Sequence, residues 1–259
     1  MPTMSKLLLT SLIAALTYFQ PITATAANNC YVNIQGEKIS FKGGCNEHGP
    51  HGYGLAQSAD GKFKYSGQFV NGTMQGKGQL ITTSYTYNGS FHNGEKHGQG
   101  KLTTNDGMVY VGSFANGQFH GKGTLVISKK ERYIGGFNRG KKHGQGRYEF
   151  ESGTVFTGTF HMGERHGQGK TVKTDGTVIQ ANYLKGEPHG QVTITSPDGY
   201  RYQGPLKNGQ PHGQGTIQFS NGDVYTGQIN NGAPHGQGTI TLASGGQYTG
   251  QWQNGKPMP

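Results

Sequence analysis

Nine copies of a 23-residue unit follow one another along this chain. Each copy begins at a large residue, here called the lead residue, and the nine leads are Tyr65, Tyr87, Tyr110, Tyr133, Phe156, Ile179, Tyr202, Tyr225 and Tyr248. The first interval between leads is 22 residues and every later interval is 23. A unit this short cannot bury a hydrophobic face alone, so we expect its stability to come from stacking on its neighbours.

The residues after each lead have the two-residue period of a β-strand. In repeat three, Tyr110, Gly112 and Phe114 occupy alternate positions, so their side chains share one face of a strand. The glycine between the two large residues leaves room for a neighbouring ring to lie over the backbone. The second large residues of repeats one to nine are Phe69, Phe91, Phe114, Phe137, Phe160, Tyr183, Leu206, Ile229 and Trp252.

Two turns complete each unit. Asn-Gly follows the first strand in six repeats, as in Asn116-Gly117, and both residues tolerate the positive φ of a tight hairpin turn. A His-Gly-x-Gly string then begins a second strand, which ends at a turn such as Asp106-Gly107. We therefore expect an all-β fold: an elongated, single-sheet rod of stacked β-hairpins with a right-handed twist.

The pattern Tyr-x-Gly-x-Phe-x-x-Gly-x-x-His-Gly-x-Gly, repeated every 23 residues, resembles the MORN repeat (membrane occupation and recognition nexus). The resemblance extends from Phe41 to Gly255 and implies a MORN meander. In that family catalytic activity comes from an added domain, and terminal repeats commonly form dimers. The resemblance therefore implies a binding or scaffold role and is compatible with a homodimer.

The sixth repeat departs furthest from this pattern. It has Ile179 as its lead, Ala181 in place of the glycine, and Val192 where other repeats have the last glycine of the second strand. Added methyl groups should change the packing, so we expect any bend of the rod in this repeat.

The N-terminal segment predicts export. Lys6 precedes an apolar stretch from Leu7 to Leu16, and Ala24-Thr25-Ala26 fits a signal-peptide cleavage site. The apolar stretch is shorter than the roughly 20 residues that a membrane span needs. We expect residues 1–26 to be a signal peptide and the mature protein to be periplasmic or secreted; the alternative is an uncleaved anchor.

The chain has two cysteines, Cys30 and Cys45. In an exported protein an isolated pair predicts a disulfide, whereas two thiols alone make a poor metal site. We expect a disulfide-pinned N-terminal cap over residues 27–54, which contains a degenerate repeat that begins at Phe41. The repeat array then covers residues 55–259, and its last repeat is predicted to lack a second strand.

Seven histidines recur at the start of the second strand. Equivalent positions lie roughly 9–10 Å apart along the rod, whereas ligands of one zinc ion each lie about 2.0–2.1 Å from it. No repeat offers a second histidine at ligand spacing in the sequence. We interpret the seven as structural residues that pack by the turn and hydrogen-bond to the backbone, and we predict no metal site. They are His97, His120, His143, His166, His189, His212 and His235.

The sequence contains no motif of a known catalytic site. It has neither the Gly-x-Ser-x-Gly elbow of hydrolases nor a Gly-x-x-x-x-Gly-Lys-Ser/Thr phosphate loop. Its 13 acidic residues fall mostly at turns. We therefore predict no catalytic residues and no cofactor, with an enzyme whose site the sequence does not reveal as a remote alternative.

The net charge of +10 is concentrated in repeats three and four. A cluster at one edge of the rod could bind anionic phospholipid, an acidic protein or a polysaccharide. The alternative is a set of solvated turns that keep a glycine-rich rod soluble, and export removes the usual nucleic-acid target. The predicted patch consists of Lys122, Lys129, Lys130, Arg132, Arg139, Lys141, Lys142 and Arg147.

The final strand is a third candidate surface, beside the aromatic face and the basic patch. It carries Tyr248 and Trp252 and is predicted to leave an unpaired edge that another strand or a second copy could join. Together these features predict a non-catalytic extracytoplasmic binding or scaffold protein for protein–protein interaction, with self-association possible through the C-terminal edge. The alternative is a peripheral membrane protein that binds anionic phospholipid.

Overall fold

The computed structural model describes residues 30–34 and 36–259, so the predicted signal peptide lies outside the described residues. These residues form 22 strands, and none of them belongs to a helix able to cross a membrane. The strands are β1 (Tyr31–Ile34), β2 (Glu37–Asn46), β3 (Gly49–Gln57), β4 (Phe63–Val70), β5 (Thr73–Thr82), β6 (Tyr85–His92), β7 (Glu95–Thr104), β8 (Val109–Ala115), β9 (Gln118–Val126), β10 (Arg132–Asn138), β11 (Lys141–Glu149), β12 (Val155–His161), β13 (Glu164–Val172), β14 (Val178–Leu184), β15 (Glu187–Thr195), β16 (Arg201–Lys207), β17 (Gln210–Pro211), β18 (Gly213–Gln218), β19 (Val224–Asn230), β20 (Ala233–Thr241), β21 (Gln247–Gln253) and β22 (Lys256–Pro257).

The strands form one open antiparallel sheet in which neighbours in sequence are neighbours in space. Each repeat supplies two strands, such as β8 and β9 in repeat three. In repeat seven the second strand is divided into β17 and β18, and both parts pair with β16. The all-β, single-sheet meander predicted from the repeat is confirmed.

A row of paired glycines crosses the sheet beneath the aromatic rings. It runs without interruption from Gly43 to Gly169, with each glycine opposite one on the next strand. A Cβ atom on Gly112 would lie 2.6 Å from the Cα atom of Gly123 and 2.6 Å from the Tyr110 hydroxyl oxygen. Glycine is therefore required because backbone and ring approach closer than any side chain allows.

A bulge in the second strand follows the glycine pair of each regular hairpin. In repeat two Ser90 pairs with His97, which leaves Gly98 and Gln99 without a partner on β6. The Tyr87 hydroxyl donates a 2.9 Å hydrogen bond to the Ser90 carbonyl at this bulge. The same bond, from the lead hydroxyl to the carbonyl three residues later, spans 2.6–3.1 Å in repeats led by Tyr65, Tyr110, Tyr133, Tyr202 and Tyr225.

Aromatic rings form the core by packing edge to face along the sheet. The Tyr87 ring lies 5.1 Å from Phe91 of its own repeat and 4.9 Å from Phe114 of the next. Each lead ring of repeats one to five thus joins two repeats, and the lead tyrosines of repeats one to four are fully buried. This cluster of buried residues extends from Val32 to Tyr183.

The sixth repeat divides the core into two clusters. The second cluster runs from Val192 to Trp252, and Ala181 is packed against both. Ala181 pairs with Val192 where repeats one to five and repeat eight pair two glycines. The predicted change of packing in this repeat is confirmed, and a bend there stays a prediction.

The turns between the two strands of a repeat share one backbone conformation. Asn116 and Gly117 have φ values of 48° and 72°, as expected for a tight hairpin turn with positive φ at both central residues. Arg139, Met162 and Lys185 adopt the same conformation, with φ values of 48–50°, although only asparagine signals it in the sequence.

The N-terminal cap has the predicted disulfide. Cys30 and Cys45 are bonded, with their Cα atoms 6.5 Å apart. Gly43 pairs with Gly54 under the ring of Phe41, as Gly112 pairs with Gly123 under the ring of Tyr110; the cap as a separate domain stays a prediction.

The prediction that the last repeat lacks a second strand is wrong. Lys256 and Pro257 form β22, which pairs with the end of β21. The Met258 amide also donates to the Gln251 carbonyl at 2.8 Å. An Asn-Gly turn followed by only two paired residues is too short to show strand periodicity in a sequence.

Candidate functional site

The aromatic face of the sheet is the face that carries the lead and second large residues. Most of those side chains are buried against one another, so they are not themselves available to a partner. The residue that pairs with each second large residue across the hairpin is here called the facing residue, and it is partly or fully exposed in every repeat but the eighth. In repeats one to nine the facing residues are Met74, Lys96, Phe119, Lys142, Arg165, Pro188, Pro211, Pro234 and Pro257.

Three of the facing residues in repeats two to five are cations held over aromatic rings. The Lys96 Nζ atom lies 4.8 Å from the Tyr85 ring centroid and donates to the Tyr85 hydroxyl at 3.3 Å. Lys142 Nζ lies 4.0 Å from the Tyr148 centroid. The Arg165 guanidinium carbon lies 5.1 Å from the centroid of Tyr183. Contacts of this kind stabilise a cation without removing its charge.

Lys142 is half-buried, and its Nζ atom lies 4.0–5.8 Å from the centroids of three rings, those of Tyr133, Tyr148 and Phe160. Burial lowers the pKa of its ammonium group, and the nearby Glu131 carboxylate partly opposes that shift. Glu131 accepts a hydrogen bond from the Tyr148 hydroxyl. Burial and this contact with Glu131 raise the pKa of Tyr148. The carboxylate beside Lys142 therefore already accepts a hydrogen bond from a tyrosine.

The three facing cations, Lys96, Lys142 and Arg165, form no ion pair among residues 30–34 and 36–259. The ion pairs found there are on other surfaces: Glu47 with His48, Asp60 with Lys62, and Glu149 with Arg132 and Arg147. The facing cations thus keep hydrogen-bond donors for an external acceptor, since lysine has three and arginine five. The charge pattern of the sequence predicted Lys142 as a binding residue but did not predict the row.

One part of the predicted basic patch lies at the two opposite edges of the sheet. Lys129 and Lys130 are exposed in the connection between β9 and β10. Arg139 is in the turn between β10 and β11, at the other edge, and Lys141 begins β11 beside it. The structure therefore does not bring these four residues together.

The other part of the patch is divided between the two faces. Lys122, Arg132 and Arg147 lie on the face opposite the rings, here called the outer face. Arg132 and Arg147 both pair with Glu149, the former at 2.8 Å. Lys142 is on the aromatic face. The eight residues do not form one cluster, because consecutive strand residues alternate between faces; binding of an anion by any of them stays a prediction.

The repeating histidines lie on the outer face, and two further histidines accompany them. His92 lies 5.5 Å from His97, and His161 lies 5.2 Å from His143 and 5.6 Å from His166, measured between ring centroids. The prediction that no repeat offers a second nearby histidine is therefore wrong, because the hairpin brings together residues five positions apart. In the described part of the chain no group of three or more histidine, cysteine or acidic residues could hold a metal ion.

Three of the repeating histidines lack the predicted backbone hydrogen bond at one ring nitrogen. The Nδ1 atoms of His143, His212 and His235, in repeats four, seven and eight, are buried without a hydrogen-bond partner. The histidines of repeats two, three, five and six are exposed.

The predicted C-terminal contact residues occupy different environments. Trp252 is only 5% exposed; its Nε1 atom donates to the Gly238 carbonyl at 3.1 Å, and its ring lies 5.2 Å from Tyr225. Tyr248 is 38% exposed and its hydroxyl donates to the Met258 carbonyl. A strand that joined this edge would pair with the backbone of β21 at the residues that β22 does not cover. It would not contact the buried indole of Trp252.

Comparison with known proteins gives one family and several weakly similar structures. The MORN repeat model matches residues 65–86, 87–109, 110–130, 133–155, 156–178, 202–224, 225–247 and 248–258. These are eight of the nine repeats identified in the sequence, with the same starting residues, and the divergent sixth repeat is the one not matched. No curated protein matches the chain.

Solved structures similar to the chain include domains of SAS-4 and CPAP. The TCP domain of SAS-4 (dCPAP) from Drosophila melanogaster, solved in complex with a proline-rich motif of Ana2 (dSTIL), is 13% identical; the match covers 60% of this chain and 84% of that one, with a TM-score of 0.39. The wild-type TCP10 domain of Danio rerio CPAP is 18% identical over 81% of this chain and 94% of its own, with a TM-score of 0.34. Structural similarity at these TM-scores supports no inference about function.

The family assignment rests on the repeats themselves. The matched segments cover more than half of the chain, and each begins within the first strand of a hairpin. The chain therefore belongs to the MORN repeat family.

Proposed function

We propose that this protein is an exported, non-catalytic scaffold that binds a protein partner along the aromatic face of repeats two to five. The observation that carries the proposal is the set of three cations held over rings on that face without an ion pair. A half-buried charge is already partly desolvated, so pairing it with an external acceptor costs less than pairing a fully hydrated one.

Export is the second element of the proposal. The N-terminal sequence has the features of a signal peptide, and the Cys30–Cys45 disulfide is compatible with an oxidising compartment. Protease protection of the chain in intact cells of its source, compared with permeabilised cells, tests the location. If the chain is still fully protected from the protease after the cell surface has been exposed to it and the periplasmic contents have been released, export is contradicted.

Site-specific photocrosslinking tests the binding face. A benzophenone amino acid replaces Phe119, a facing residue, or Val111, which is 50% exposed on the outer face of the same repeat. We expect a discrete protein adduct from position 119 in the native source and none from position 111. Adducts from position 111 alone, or from neither position, would count against the proposal.

Binding of anionic phospholipid, the alternative function, stays a prediction. The basic residues of the predicted patch do not lie on a single surface, since they are spread over both faces and both edges of the sheet. Sedimentation with anionic vesicles at low and physiological salt tests it, because binding through exposed charges weakens as salt rises.

Self-association also stays a prediction. Removal of residues 246–259 should halve the mass measured by light scattering if the C-terminal edge forms a dimer.

A further inference from the structure

We infer that the occupant of this face is an acidic segment in the polyproline II conformation, with carboxylates against Lys96, Lys142 and Arg165. The inference rests on the proposed function and adds the chemistry and the conformation of the partner. It follows from two properties of the facing residues: their unpaired charge and their spacing along the sheet.

The charge of the face favours an acidic partner. Lys96, Lys142 and Arg165 are half-buried, and within the part of the chain that the structure describes their one side-chain hydrogen bond joins Lys96 to Tyr85. The acidic group nearest to Lys142 is Glu131, which already accepts from Tyr148. Carboxylates supply the acceptors that ammonium and guanidinium groups lack here, and such charge-assisted hydrogen bonds are stronger than neutral ones.

The spacing of the face favours one backbone conformation. Equivalent residues of successive repeats are two strands apart, which is roughly 9.4–9.8 Å at the usual strand separation. A polyproline II helix has three residues per turn and a rise of about 3.1 Å, so it presents the same side every 9.3 Å or so. A segment lying along the array therefore places every third side chain over one facing residue.

Other extended conformations do not match this spacing. In a β-strand, residues three positions apart span about 10 Å but point to opposite sides. An α-helix advances about 5.4 Å per turn, so its contacts would recur at intervals that drift from the repeat. Polyproline II segments also dock against aromatic side chains, and this face presents the partly exposed ring of Phe119 between Lys96 and Lys142.

The facing residue of repeat three adds a directional element. Phe119 lies between Lys96 and Lys142 in the row and is stacked at 3.8 Å on Tyr110. It offers an apolar contact where its neighbours offer charge. The complementary segment has the order acidic, apolar, acidic, acidic at every third residue, and the row of cations ends at Pro188 in repeat six.

Fluorescence anisotropy with a labelled peptide tests this inference on the full mature chain. The probe is the twelve-residue peptide Pro-Pro-Glu-Pro-Pro-Leu-Pro-Pro-Glu-Pro-Pro-Glu. The comparison peptide has the same composition but carries its glutamates at alternate positions, which a polyproline II helix points in different directions. We expect the probe to bind about tenfold more tightly than the comparison peptide.

Two triple variants with the same change in net charge separate the face from the overall charge. The first is Lys96→Met, Lys142→Met and Arg165→Met; methionine keeps an apolar stem over the rings and is the natural facing residue of repeat one, Met74. The second replaces the exposed outer-face residues of the same three strands: Lys101→Gln, Lys141→Gln and Lys170→Gln. Circular dichroism verifies that both variants fold.

We expect the aromatic-face variant to weaken probe binding by about tenfold and the outer-face variant by less than about twofold. Equal weakening would show attraction to net charge alone and would overturn the inference. Failure of the wild-type chain to bind the probe, equal affinity for both peptides, or displacement of the probe by phosphatidylglycerol vesicles would also overturn it. If any of these results occurred while Phe119 still crosslinked to a protein, the proposed function would stand with a different partner chemistry.

Discussion

Repeats one to five and repeats seven to nine have a similar hairpin backbone but differ in the side chains that cover it. In the first group the second large residue is always phenylalanine, and the facing residues are apolar or cationic. In the second group the second large residues are Leu206, Ile229 and Trp252, and each facing residue is proline. The sixth repeat, with Ala181 opposite Val192, separates the two cores.

The sheet therefore depends on the glycine row and the turns more than on the side chains above them. Repeat two of the first group and repeat eight of the second both have paired glycines, the bulge after them and the lead hydroxyl bond. The facing residue varies among methionine, lysine, phenylalanine, arginine and proline while this backbone arrangement is kept. Recognition chemistry can therefore differ between repeats without any change of register, and four predictions test this contrast between the two groups.

The largest effect is expected from Gly112→Ala. The new Cβ would lie 2.6 Å from the Gly123 Cα atom, so the strands or the Tyr110 ring must shift, at a cost of about 3 kcal/mol in the free energy of unfolding. Urea unfolding followed by circular dichroism measures the loss. Trp252, the one tryptophan, reports on the second cluster, and its fluorescence midpoint should move less.

The matched control for that substitution is Ala181→Gly. This change restores the glycine of the row in repeat six, and we expect it to alter stability by no more than about 1 kcal/mol. A loss below about 1 kcal/mol for Gly112→Ala would show that the row is not a steric requirement. Equal shifts of the two probes would show that the two clusters unfold as one unit.

Alkaline pH should destabilise the first group through its buried lead tyrosines. Burial raises the pKa of Tyr87, Tyr110 and Tyr133 to about 12, whereas tyrosine in an unfolded chain has a pKa near 10. As pH rises past 10 the unfolded chain loses protons first, so the stability present below pH 10 falls between about pH 10 and 12. Urea midpoints measured across this range test the prediction, and a constant midpoint would contradict it.

A smaller gain is expected from Phe156→Tyr. Phe156 leads repeat five and lacks the hydroxyl that six other leads place on the carbonyl three residues later, which here belongs to Thr159. The added hydrogen bond should raise the free energy of unfolding by about 1 kcal/mol. The reverse substitution, Tyr133→Phe, should lower it by a similar amount; a loss of stability in Phe156→Tyr would show that the fifth bulge differs from the others.

The smallest effect is expected from Met162→Asn. Met162 has a φ of 49° in the turn of repeat five, where repeats seven to nine have asparagine. Asparagine tolerates this conformation better than methionine, so we expect a gain of about 0.5 kcal/mol. Asn116→Met is the matched control and should lose a similar amount by thermal unfolding; no change in either variant would indicate that this turn stores no strain.

The features that each repeat contains within itself could be predicted from the sequence. The alternation around Gly112 predicts the strand, Asn116-Gly117 predicts the turn, and the isolated Cys30 and Cys45 predict the disulfide. All three are confirmed. These features depend on residues within a few positions of one another or on a pairing with no alternative.

Features that depend on the pairing between strands were missed. The two-residue turn between β6 and β7 places Lys96 opposite Phe91 on the aromatic face, and it brings His92 beside His97. The turn signal could have predicted both contacts, because a two-residue turn sets which residues face each other. The predicted second strand began only at His97, so Lys96 lay outside it.

The bulge that follows each glycine pair had no signal in the sequence. It leaves two residues of the second strand without partners on the first strand of the hairpin. Such an irregularity depends on how two strands align, so it becomes evident only when the opposite strand is in place.

The direction of the backbone hydrogen bonds has a mechanical consequence. In an antiparallel sheet these bonds are perpendicular to the strands, so here they point along the direction in which the repeats accumulate. A force that pulls the two ends apart loads the strand pairs in series and opens hairpins one at a time. Each freed 23-residue repeat lengthens from roughly 10 Å to about 75 Å, while the Cys30–Cys45 bond holds its own loop closed. Such a chain is an extensible tether that gains length long before its covalent backbone bears the load.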